Sequence, residues 1–167
     1  TPELIDSMIL AGKSANKKNI PVVLDAVGVG ATKLRDNEAL RILSEIKVDI
    51  IKGNASEIAK LAGMNVTTRG VESTKVEANL IDVAKNLANK TNSTVVITGK
   101  QDIVTNGKKV YLVNNGHAMM GSIVGTGCMA ASIIGAFAGI EKDYAKAAAY
   151  ALASFGIAGE LAAQKSK

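Results

Sequence analysis

The 167-residue chain has one cysteine, one histidine, two prolines, no tryptophan and only 3% aromatic residues. One cysteine excludes an internal disulfide, which fits a reducing cytoplasmic setting. With so few rings and 20 scattered basic residues, the formal charge of +5 reads as a solvated surface, helped by an acidic substrate. A nucleic-acid binder would more often show a basic stripe or stacking rings. There is no Ser-His-Asp set, no Walker A motif and no G-x-G-x-x-G turn, so a nucleotide would have to be held in another way. No internal repeat, low-complexity linker or domain boundary is visible, and 47% hydrophobic content excludes a disordered chain.

Charge is also missing locally, since no Asp, Glu, Lys or Arg occurs between Lys109 and Glu141. Within that gap, Val124-Gly125-Thr126-Gly127-Cys128 leads into an apolar helical segment through Ile140. A helix hydrophobic on all sides reads as buried. The run is long enough to span a membrane, but Gly121, Gly125, Gly127, Gly135 and Gly139 within it and the lack of a basic flank argue for a soluble core. A helix N-terminus presents free N–H groups and the positive end of a dipole, and glycines let an anion approach. Gly125, Thr126 and Gly127 therefore read as an anion hole. Cys128 beside it reads as a base or nucleophile, because such a field favours thiolate. A lone cysteine is, on the other side, most often a small buried hydrophobe, and Gly-Thr-Gly is often only a cap.

Along the rest of the chain, helices and short apolar strands alternate. Helices are expected over Thr1–Asn16, Asp36–Lys47, Glu57–Ala62, Lys75–Asn89 and Asp143–Gln164, the last mostly covered. Strands are expected over Ile20–Asp25, Val48–Ile51 and Thr94–Thr98. Asn106-Gly107 between Asp102–Thr105 and Lys108–Val113 predicts a type I′ hairpin. Val66 to Thr74 reads as a loop, and His117, in a polar approach to the central helix, reads as structural or exposed. The alternation predicts a three-layer α/β domain with a mostly parallel sheet and an antiparallel hairpin at its edge.

Ligands of open α/β sheets sit beyond the carboxyl ends of strands. Asp25, Lys52 with Glu57, and Thr98 fall at such ends. Two carboxylates and a lysine there suit a hydrated Mg²⁺ with phosphate, which is what phosphoryl transfer needs. Asp25 reads equally as a turn or cap residue, and Asn54 with Glu57 as a capping pattern.

Pro21 through Thr32, Lys52-Gly53-Asn54-Ala55-Ser56-Glu57-Ile58, Val96-Ile97-Thr98-Gly99, Asn115-Gly116-His117 and Gly125-Thr126-Gly127-Cys128 together resemble hydroxyethylthiazole kinase, a family of the ribokinase-like fold. The resemblance covers nearly the whole chain. It implies ATP- and Mg²⁺-dependent phosphorylation of the primary alcohol of hydroxyethyl-methylthiazole in thiamine salvage, by a homotrimer with interface active sites. It further implies Cys128 as catalytic base, Gly125 against substrate, Lys52 and Thr98 against ATP, and Asp25 and Glu57 on the magnesium side. Ala26 and Ala118 stand where the family usually has Pro, and Lys52 where Arg is common. Against the family pattern this single domain, 1–167, opens in the middle of the fold, without the first strands and a substrate-contacting methionine, and its C-terminus is short. The readings set beside this one are a related hydroxymethylpyrimidine phosphate kinase and a non-catalytic binding or assembly domain of the same fold.

Overall fold

The computed structural model describes residues 2–63 and 73–166. Five strands form one sheet in sequential order: β1 (Val23–Asp25), β2 (Ile50–Asn54), β3 (Thr94–Thr98), β4 (Asp102–Thr105) and β5 (Val110–Val113). The first three run parallel, with Asp25 beside Lys52 and Asn54 beside Thr98, and β4 and β5 are antiparallel. α1 (Pro2–Lys17), α2 (Lys33–Glu45), α3 (Ala55–Leu61) and α4 (Ser73–Thr91) cover one face of the sheet. α5 (Thr126–Ile140) and α6 (Tyr144–Lys165) cover the other. The result is the three-layer α/β domain that the alternation predicts.

Alternation along each strand divides the core in two. Leu24, Ile51, Val95, Ile97 and Ile103 point to the four-helix side, whereas Ile50, Val96 and Val104 point to α5 and α6. Gly12 lies flush against Ile46, so α1 approaches the residue that ends α2 closely. α6 is alanine-rich for a similar reason. Ala145, Ala147, Ala148 and Ala151 are all but fully buried, and their small side chains bring the helix down onto the sheet.

Several boundaries differ from the sequence reading. β2 begins two residues later and includes Lys52, Gly53 and Asn54, because its ladder with β3 continues to Thr98. α2 begins at Lys33, capped by the Thr32 hydroxyl rather than by Asp36, whose carboxylate instead accepts the Gly30 N–H at 2.6 Å. The β4–β5 turn is not type I′. That turn needs left-handed φ at both central residues, and here only Gly107 has it, at 87°. Asn106 Oδ1 accepts the N–H groups of Lys108 and Lys109 instead, and β5 joins the ladder two residues later than a two-residue turn requires, with Val110 rather than Lys108 opposite Thr105. The loop expected over Val66–Thr74 lies outside the described residues up to Ser73, where α4 has begun.

The largest correction concerns α5. It is not buried on all sides. Ala130, Ile134 and Ala138 face the core, while Cys128 is exposed, Met129 is 44% exposed and Ile140 88%. The outer face has no charge because it is built of small residues such as Ser132, Ala136 and Gly139. Absence of charge was a weaker sign of burial than the i, i+4, i+8 spacing of the three core residues. α6 is likewise covered only over its first half, and Ile157 and Leu161 are open. Among the described residues, no helix is long and apolar enough to cross a membrane.

Candidate active site

Strand register brings the polar residues together before any side chain is considered. Asp25 is two residues beyond Val23, Lys52 two beyond Ile50, Thr98 two beyond Val96, and Asp102 two before Val104. All four therefore share the α5 face of the sheet, on adjacent strands and at one rim. The parallel strands end at this rim and the antiparallel β4 begins there.

Lys52 is at the centre of the row. It is 4% exposed, and its Nζ donates to both oxygens of Asp25, at 3.0 and 3.1 Å. An added Cβ at Gly127 would lie 3.0 Å from the same Nζ, so the ammonium sits against the first turn of α5. That turn begins at Thr126, which makes Gly127 and Cys128 part of it. Gly125 occupies the N-cap position with φ at 100°, a conformation open to glycine and strained for other residues, and supplies no side-chain cap. The Thr126 hydroxyl donates backward to Ile123 O at 3.1 Å. The N–H groups at this end are thus left without a side-chain acceptor. Cys128 is exposed beside them.

Glu57 is 9% exposed and already employed. Its Oε2 accepts the Asn54 N–H and its Oε1 the Gly28 N–H, each at 2.8 Å, while Asn54 Oδ1 accepts the Glu57 N–H. The capping reading of Asn54 and Glu57 is therefore realised in full, and Glu57 also ties the glycine loop after β1 to the start of α3. Burial pushes the Asp25 carboxyl above the ordinary aspartate range against the pull of Lys52, and the charge of Glu57 pushes the same way. The two carboxylates accordingly feel one another. Among the described residues, no group of three or more His, Cys, Asp or Glu side chains could hold a metal alone. Mg²⁺ commonly keeps waters and uses one or two carboxylates with phosphate oxygens, so Asp25 with Glu57 fits that kind of site and not an all-protein cage.

Thr98 ends β3 with its hydroxyl donating to Gly53 O at 3.4 Å. Asp102 was not singled out from the sequence. Its Oδ1 accepts the Gly99 N–H at 3.0 Å and closes the turn after Thr98. Burial raises its carboxyl too, with the Gly99 N–H and the charge of Lys52 opposing. The available signal was the hairpin itself, which returns the chain to the same rim. His117 caps the 3-10 turn Ala118–Ser122 by accepting the Met119 N–H on Nδ1 at 3.2 Å, and it is exposed.

The arrangement couples a buried cation, a carboxylate pair, an uncapped helix N-terminus and an open thiol. It can receive a phosphate chain. A family model described as the hydroxyethylthiazole kinase family matches residues 1–167. The hydroxyethylthiazole kinase of Methanosarcina mazei is 61% identical over 99% of this chain, and that of Thermoanaerobacter pseudethanolicus 49% over 99%. The chain spans 64% and 63% of their lengths. The structure of the hydroxyethylthiazole kinase from Pyrococcus horikoshii OT3 superposes on 96% of this chain and 59% of its own, at 40% identity and a TM-score of 0.85. The Bacillus subtilis pyridoxal kinase, solved as an ADP complex, reaches a TM-score of 0.58 at 23% identity over 88% of this chain and 56% of its own, a likeness of fold alone. Matched along its whole length, the chain belongs to the hydroxyethylthiazole kinase family.

Proposed function

We propose that this chain carries the site of an ATP- and Mg²⁺-dependent kinase for the primary alcohol of hydroxyethyl-methylthiazole, acting in thiamine salvage in the cytoplasm. The observation that carries the reading is Lys52, buried between the Asp25 carboxylate and the first turn of α5. A binding-only module has little reason to bury a cation there with an open thiol beside it.

In this reading Lys52 and Thr98 hold the phosphate chain of ATP. Asp25 and Glu57 hold Mg²⁺, which would neutralise charge on the transferring phosphoryl group. The N–H groups of Gly125, Thr126 and Gly127 receive that group, and Gly125 lies against the alcohol. Cys128 takes the hydroxyl proton as the alcohol oxygen bonds to phosphorus and the bond to the departing ADP oxygen breaks. Such chemistry depends mainly on positioning and charge, so one weak base suffices. The active assembly is a homotrimer with interface sites, to which the open apolar residues Ile123, Val124 and Met129 around the α5 N-terminus are suited.

The test is Mg²⁺-ATP-dependent phosphorylation of the thiazole alcohol, with hydroxymethylpyrimidine phosphate as the competing acceptor. Turnover of the thiazole supports the reading, and turnover of the pyrimidine alone moves it to the sister kinase. Cys128→Ala should lower kcat about 100-fold or more with little change in ATP affinity, as loss of a general base does. An unchanged kcat would remove Cys128 from the mechanism.

A further inference from the structure

In the free protein, the cation proposed for phosphate and the carboxylate proposed for metal are bonded to each other. Lys52 Nζ meets both Asp25 oxygens, and the Asp25 side chain is only 17% exposed. The ammonium also faces the positive end of the α5 dipole at Gly127, so it requires an anion there. The other two carboxylates described at this rim already accept backbone N–H groups. Both Glu57 oxygens accept N–H groups, from Gly28 and Asn54, whereas Asp102 accepts the Gly99 N–H through Oδ1 alone and acts on Lys52 through its charge without bonding it.

Resting on the kinase reading above, we propose that Asp25 is a resident counter-ion which competes with the incoming phosphate for Lys52 and thereby selects the metal-complexed nucleotide over the bare one. A bare phosphate chain that captured Lys52 would leave Asp25 beside Glu57 and further negative charge. A metal ion that captured Asp25 alone would strand a buried ammonium, and an unpaired buried charge is strongly unfavourable. Only when phosphate and cation arrive together does each partner of the broken pair gain a new one. Metal and nucleotide therefore bind with positive coupling, which by linkage is the same in both directions.

The experiment is calorimetric titration with ADP, in Mg²⁺ or in EDTA, of this chain and of Asp25→Asn, each verified as folded by its melting curve. The unsubstituted chain should bind ADP about 10-fold or more tighter with Mg²⁺ than without, within the usual range of coupling. Asp25→Asn should bind bare ADP about 10-fold tighter than the unsubstituted chain does, and its Mg²⁺ dependence should fall toward unity. Bare ADP bound no tighter by Asp25→Asn would overturn the proposal while leaving the kinase reading intact. Failure of the unsubstituted chain to bind ADP in either buffer would overturn both. A second arm does not depend on the Asp25 variant folding. Lys52→Met should bind Mn²⁺ without nucleotide more tightly than the unsubstituted chain, read by electron paramagnetic resonance, and equal affinity would overturn the proposal.

Discussion

At Gly127 a single methyl group separates two properties that usually change together. Its Cβ would lie 3.0 Å from Lys52 Nζ, close enough to shift the ammonium by a few tenths of an ångström. The neighbour is the end of a flexible side chain, so the fold can absorb the change. Alanine is also a better helix former than glycine by up to about 1 kcal/mol. Gly127→Ala should therefore melt at the same or a higher temperature, yet bind nucleotide about 10-fold more weakly. Unchanged affinity in a calorimetric titration would mean that Lys52 does not depend on the bare backbone at 127. The sequence placed position 127 in a proposed anion hole, but its contact with Lys52 was not legible there. That contact depends on which face of β2 carries residue 52, and the face follows from its register with Asp25 and Val96. Asp102 was missed for the same reason, since an aspartate after a Gly-Lys-Gln turn looks ordinary until β4 is known to start at this rim.

Among the elements, α3 shows how one residue serves structure and a proposed metal site together. Glu57 accepts two backbone N–H groups, one opening α3 and one in the loop after β1. Hydrogen bonds to a charged acceptor are worth about 1.5–3 kcal/mol each. Glu57→Ala should then cost about 3 kcal/mol in urea denaturation, apart from any effect on Mg²⁺, and a loss below about 1 kcal/mol would show that the cap is not holding the loop. The segment leading to α5 is held from the other side by α6. A Cβ at Gly156 would fall 2.6 Å from the backbone of Asn115, whereas at Gly159 it would meet the flexible side chain of Met120. Gly156→Ala should accordingly lose more stability than Gly159→Ala, within the roughly 1–3 kcal/mol usual for overpacking. It should also disturb turnover, because residues 114–122 deliver Gly125. Equal melting temperatures for the two variants would contradict this. Strand and helix existence was legible here, and the Asn54–Glu57 cap was written plainly in the sequence. The turn type of the hairpin and the burial of α5 were misjudged, because the first depends on which backbone groups Asn106 can bond and the second on what lies outside a charge-free helix.

On the scale of the whole molecule, the sheet is a wall between two apolar half-cores, and its polar rim is bought at some cost in stability. Asp102 carries that cost in measurable form. Burial raises its folded pKa above the unfolded value of 3.8. A carboxyl raised in this way favours the fold fully below its unfolded pKa, and that contribution is lost as pH rises through the folded value. At neutral pH the charged Asp102 therefore weakens the protein. Asp102→Asn keeps an oxygen for the Gly99 N–H but never ionises. It should melt higher than the unsubstituted chain at pH 7, and the gap should close as pH falls below about 4. Asp25 is raised in the same direction, but asparagine there would strand Lys52, so Asp102 gives the cleaner reading. A gap that is absent at pH 7, or that widens in acid, would mean that the Gly99 N–H and Lys52 outweigh burial. The carboxylate would then be a stabilising member of the rim, and the conflict between fold and site would rest with the Asp25–Lys52 pair alone.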